Sequence, residues 1–160
     1  GQIVDLWKKV DPDEVRGGVP VWLSTAREYA GYWVRQQQIR EAFDVALLDE
    51  PSFLAPVVDT FLRSLPAALR ESTAPQGKRV SVTVTGPAGG TWSSTRTAGG
   101  WVLDHRPPPR SPFAAVTTDP HTLWRLSTGI LRLADARPGL TTAGDPGTCE
   151  TLLAALPKTS

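Results

Sequence analysis

The spacing of apolar and polar positions changes period along the chain, and each change marks an element. Over residues 25–43 (TAREYAGYWVRQQQIREAF), Tyr29, Trp33, Gln36, Arg40 and Phe43 recur at helical spacing, with Tyr32 and Ile39 widening the aromatic and aliphatic side. Thr25 followed by Glu28 reads as a capping box, with Ser24 as the alternative N-cap. A second stripe of this helix passes through Glu28, Gly31, Arg35, Gln38 and Ala42. Positions 31 and 35 lie one turn apart, so their side chains point together. A connector, DVALLDEP, then leads to Pro51 at the first position of a second helix. Phe53, Leu54, Val57, Val58, Phe61, Leu62 and Leu65 give that helix its apolar face to about residue 70, with Pro66 kinking or ending it.

At Arg79 the period drops from about 3.6 to 2. Val80, Val82 and Val84 alternate with Ser81, Thr83 and Thr85, a half-buried strand by pattern. Gly86-Pro87-Ala88-Gly89-Gly90 turns the chain into a second strand over residues 91–96. Residues 97–100 turn it again into a third over 101–104, completing an antiparallel meander. Residues 105–112 (HRPPPRSP) read as a stiff proline-rich connector, and 114–118 as a further short strand. Thr118 or Asp119 caps a helix with Pro120 at its first position, running through Leu123, Trp124 and Leu126 to Gly129. Residues 140–143 read as the last strand, and Asp145-Pro146 opens a closing helix with Leu152, Leu153 and Leu156 facing inward. At the other end, IVDLWKKV gives one or two helical turns before breaks at Asp11-Pro12 and Gly17-Gly18. This order of strands and helices predicts an α+β layer.

Composition narrows the function classes. With 17 Lys and Arg against 16 Asp and Glu, no bulk field draws nucleic acid or an acidic membrane. No apolar run reaches the ~20 residues of a membrane span, and the first residues lack a signal-peptide layout. The single cysteine, Cys149, admits no internal disulfide and fits a cytoplasmic location; its expected role is a small apolar residue on the last helix. There is no methionine, and abundant Ala, Arg, Gly and Pro point to a GC-rich genome such as an actinobacterial one.

YWVRQQQIREA resembles the last helix of the metal-binding four-helix domain in the DinB-like, mycothiol-dependent maleylpyruvate isomerase family. Trp33, Val34, Gln36, Gln37, Ile39 and Arg40 match that family's pattern. Its two metal-ligand positions are occupied by Gly31 and Arg35, and a guanidinium has no lone pair to offer a cation. From Pro51 onward, VTVTGPAGGTW, GGWVLD, AAVTTDPHTLWRL and AGDP resemble, in that order, the family's sterol-carrier-like C-terminal domain. The resemblance implies a sterol-carrier-like antiparallel sheet with helices over residues 49–160. Ahead of it, residues 1–48 would hold one long helix left from a DinB-like bundle, too little chain preceding residue 24 for the other three.

The function implied is that of a shortened, metal-free relative of mycothiol-dependent isomerases or S-transferases, acting on or binding a small carboxylate or its thiol conjugate. The alternative is a non-catalytic module for a hydrophobic small molecule, or an accessory subunit. Mycothiol is the thiol the resemblance implies; no metal or other cofactor is expected on this chain. Arg35 with Gln38 is expected to anchor an anion on the stripe begun by Glu28, and Arg125, or Arg132, to supply the charge that Ser127-Thr128-Gly129-Ile130 lacks relative to the family. The rival reading of Glu28, Arg35 and Gln38 is a solvated helix face. His105 and His121 are expected at the surface or at a helix start. Self-association, or pairing with another chain, is expected through the 25–43 helix.

Overall fold

The computed structural model describes residues 14–16, 19–104 and 111–159. The apolar turns expected near residues 3–10 and most of the proline-rich connector, including His105, lie outside these residues.

A two-stranded ribbon, β1 (Val15–Arg16) and β2 (Val19–Pro20), leads directly into helix α1 (Val21–Ala42). The helix therefore starts one turn earlier than its sequence suggests. Pro20 is the N-cap, and the Thr25 hydroxyl donates back to the Val21 carbonyl at 3.1 Å instead of closing a capping box with Glu28. The face that α1 buries is also not the one its aromatic spacing points to. Ala30, Trp33, Val34 and Gln37 are buried, an i, i+3, i+4, i+7 stripe whose last member is polar. Tyr32, Ile39 and Phe43 face outward, with 67%, 52% and 76% of their surface exposed. Any association through the 25–43 helix would use that stripe.

Helix α2 (Pro51–Arg63) opens with Pro51 after Glu50, as expected, and stops at Ser64. A single turn, α3 (Leu65–Ala68), carries Pro66 and packs on the sheet edge. Strands β3 (Arg79–Val84), β4 (Gly90–Thr97) and β5 (Gly100–Asp104) form the expected antiparallel meander, with Gly86 supplying a positive φ of 83° at the first turn. Strand β6 (Ala114–Thr118) returns beside β3 and runs parallel to it, so the sheet is mixed rather than wholly antiparallel, in the order β5-β4-β3-β6-β7. Asp119 caps α4 (Pro120–Ser127), a short α5 (Leu133–Ala136) and a turn of 3-10 helix follow, and β7 (Thr141–Gly144) completes the sheet. Asp145 caps α6 (Pro146–Ala155), which packs on β6 and β7.

The class is thus α+β, a five-stranded sheet with helices and a long N-terminal helix. Val80, Val82, Val84 and Val116 join Leu54, Val57, Phe61, Trp124, Leu152 and Leu156 in one core, to which α1 contributes Ala30, Trp33 and Val34. The domain boundary expected at residues 48 and 49 falls in the connector between α1 and α2, and both sides of it share this core. Cys149 is buried on α6 with its Sγ 3.3 Å from the Ala143 carbonyl, the place expected of it. Among the described residues no helix is long and apolar enough to cross a membrane.

Candidate functional site

Of the residues that carry the family resemblance, three bond to the chain's own backbone. Trp33, Gln37 and Arg40 hold the connector that follows their own helix. The Trp33 indole donates to the Leu48 carbonyl at 3.0 Å, the Leu48 amide donates to Gln37 Oε1 at 2.8 Å, and Arg40 Nη1 donates to the Ala46 carbonyl at 2.7 Å. Trp33 also meets Trp124 edge to face, with ring centroids 5.5 Å apart. These three side chains are clamps on the backbone. They fix α2 against α1 and leave the adjacent face of α1 to form a wall.

That wall is Arg27, Ala30, Gly31, Val34, Arg35 and Gln38, six positions on one side of the helix. Opposite stand Thr60 and Phe61 of α2 and Ser64 at its C-cap, with Thr128 after α4 and Thr159 after α6. Together they enclose a groove of about 370 Å³, open to solvent along one side. Its floor is apolar, from Ala30, Val34 and the largely buried Phe61, while Arg27, Arg35 and Gln38 are exposed at its rim.

Proton accounting fixes what the groove offers a ligand. The hydroxyls of Thr60 and Thr128 donate to the Pro56 and Trp124 carbonyls at 2.7 and 2.8 Å. Thr159 donates to the Leu156 carbonyl at 2.7 Å and shares a 2.8 Å bond with the Ser127 hydroxyl. These walls present lone pairs and few protons. The strong donors are the guanidinium groups of Arg27 and Arg35 and the Gln38 amide, and among the described residues the lining contains no carboxylate. Arg35 rests its guanidinium 5.6 Å from the Tyr32 ring centroid, which leaves its N–H edge available.

Two of the four residues expected at the site reach it. Arg35 and Gln38 line the groove together, and the expected pairing of positions 31 and 35 on one wall is present. Glu28 is exposed outside the groove; the neighbouring Arg27, about 100° round the helix, takes its place and reverses the charge at that end. Its signal in the sequence was its place four residues before Gly31 and eight before Arg35. Arg125 does not line the groove either. Its guanidinium pairs with Glu41 of α1 and lies 4.7 Å from the Trp124 ring centroid, so it fastens α4 to α1. Thr60, Phe61 and Thr159 had no signal, because nothing local in their own segments marks them as neighbours of α1.

The donor set at Gly31 and Arg35 does not fit a divalent metal, since one position has no side chain and the other no lone pair. Among the described residues no three His, Cys, Asp or Glu side chains gather into a cluster that holds a metal. His121 sits at the start of α4, as expected. Its Nδ1 accepts a long 3.5 Å bond from Trp124, and its Nε2 lies 3.9 Å from Asp49.

No protein-family model matches the chain, and no curated protein does, so nothing there supports the maleylpyruvate isomerase family. Among solved structures the chain is similar to sterol carrier protein 2 like 2 from Aedes aegypti, at 16% identity and a TM-score of 0.44, over 61% of this chain and 93% of that one. It is also similar to a UbiJ-SCP2 ubiquinone synthesis protein, at 15% identity and a TM-score of 0.37, over 69% of this chain and 95% of that one.

Proposed function

We propose that this chain is a binding module for a small molecule with an apolar body and an anionic head, seated in the groove between α1 and α2. One observation carries this reading. An apolar floor is bordered by two guanidinium groups that have no acidic partner among the described residues of the groove. Burying apolar ligand surface there contributes roughly 25 cal/mol per Å². Each Arg N–H to a carboxylate oxygen adds a charge-assisted bond, and a second guanidinium raises the local anion concentration. A small carboxylate or its thiol conjugate has this shape and charge. The ligand class drawn from the resemblance therefore suits the groove, while the Lewis-acid step of a metal-dependent isomerase has no donors to support it there.

Calorimetric titration of alkyl and aryl carboxylates, and of their thiol conjugates, tests the proposal. Wild type should bind members of the set. Arg35→Ala and Arg27→Ala should each weaken binding by about 1.5 kcal/mol, slightly more than tenfold, with the unfolding midpoint unchanged. Rising salt should weaken binding further, because the guanidiniums are exposed. Failure of every anion to bind, or equal binding by wild type and both variants, would overturn it.

A further inference from the structure

Glycine at position 31 is not explained by the fold. It lies at the middle of a 22-residue helix, where glycine lowers stability relative to alanine. Three structural needs ordinarily account for a glycine, and each is absent here. Gly31 is not among the residues with positive φ, unlike Gly86 or Gly129. It does not cap the helix. No neighbour requires the space either: among the described residues a Cβ built at Gly31 meets no atom within 4 Å, whereas at Gly89 or Gly144 it would run into backbone. The missing side chain instead widens the groove at a point between Arg27 and Arg35.

We infer that Gly31 selects ligands by bulk, the apolar body of the bound anion lying directly on the α1 backbone at this residue with its head turned to Arg35. The inference rests on the groove being an anion site. Helical side chains lean toward the helix N-terminus, so Arg35 lies back over the preceding turn, as its stacking near Tyr32 shows. The vacancy at Gly31 therefore lies between Arg35, whose guanidinium rests near Tyr32, and Arg27 one turn beyond, with Ala30 and Val34 beside it and Phe61 across. For the same reason a large side chain placed at 31 would extend along the groove toward Arg27, into the volume assigned to the ligand body.

Titration of benzoate, 2-naphthoate and decanoate into wild type, Gly31→Ala and Gly31→Phe, followed by NMR shifts, reads this directly. Gly31→Ala should melt about 2–4 °C higher than wild type, from the helix propensity gained. It should bind 2-naphthoate and decanoate more weakly than wild type, by a smaller factor than Gly31→Phe, since its methyl occupies only part of the space that the ligand body takes. Gly31→Phe should bind 2-naphthoate and decanoate at least ~10-fold more weakly. Gly31→Leu, with a smaller loss in the same direction, and the far-ultraviolet circular dichroism of all variants separate exclusion from misfolding. If wild type and folded Gly31→Phe bind the bulky probes equally, Gly31 is not the selector, although the anion site stands. If wild type binds none of the three, the anion site itself fails and the selector with it.

Discussion

Gln37 is a polar residue in a core position, 0% exposed. It belongs there because the part-buried Leu48 amide, in the connector, has no strand or helix to satisfy it. Gln37 Oε1 accepts from that amide, and Gln37 Nε2 turns back to the Trp33 carbonyl at 3.4 Å. An unsatisfied buried amide costs more than a typical hydrogen bond contributes. Gln37→Leu, close in volume, is therefore expected to destabilise the protein by about 1–3 kcal/mol in urea unfolding, despite adding apolar surface. An unchanged midpoint would show that the connector finds another donor and acceptor set. Arg35, three positions round the helix from Tyr32 and exposed, has the opposite profile: its removal is expected to alter binding and leave stability alone.

At the scale of elements, α4 shows how a cap reaches the groove. Burial pushes the Asp119 carboxyl up, but hydrogen bonds from the Thr122 hydroxyl at 2.5 Å and the Thr122 amide at 2.9 Å, with further backbone bonds, outweigh it and hold the group below its ordinary value. A depressed carboxylate contributes stability that is present above the unfolded value, about 3.9, and lost as pH falls through the folded one. Asp119→Ala should thus cost about 1 kcal/mol at neutral pH, a typical N-cap loss. The gap between wild type and variant should narrow below about pH 4, and unfolding curves at pH 7 and pH 3 measure it. A gap equally wide at both pH values would mean that the carboxylate's charge plays no part in the cap. Because Thr128 ends α4 and lines the groove, loosening the cap should also weaken ligand binding modestly.

For the whole molecule, the shared core ties α1 to everything after it. Trp33 and Val34 are 4% and 7% exposed, and Trp33 packs edge to face on the fully buried Trp124. Burying each such side chain contributes roughly 1.5–3 kcal/mol, so α1 supplies much of a stability that totals about 5–15 kcal/mol in a typical domain. A fragment of residues 49–160 would expose Trp124 and the α1-facing side of α2. It is expected to lose near-ultraviolet circular dichroism and cooperative unfolding. A fragment that unfolds cooperatively at the parent midpoint would show that α1 is only an appendage.

What the sequence determined by itself is whatever depends on neighbours along the chain. The alternation of Val80, Val82 and Val84, the Pro51, Pro120 and Pro146 helix starts, and the Asp119 and Asp145 caps are short-range physics, and each element stands within a few residues of its expected place. Arg35 and Gln38 were legible as a pair for the same reason, since helical spacing alone puts them on one face with Gly31. Tertiary structure decided which face of α1 is buried. Aromatic residues lie all round that helix, and only docking of the 43–50 connector and α2 selects Ala30, Trp33, Val34 and Gln37 over the Tyr32 and Ile39 side. That choice turns the helix so that Arg27 lines the groove in place of Glu28, and it commits Arg125 to Glu41. The parallel pairing of β6 with β3 was hidden likewise, because strand order is set by contacts between residues more than thirty positions apart, which no local pattern encodes.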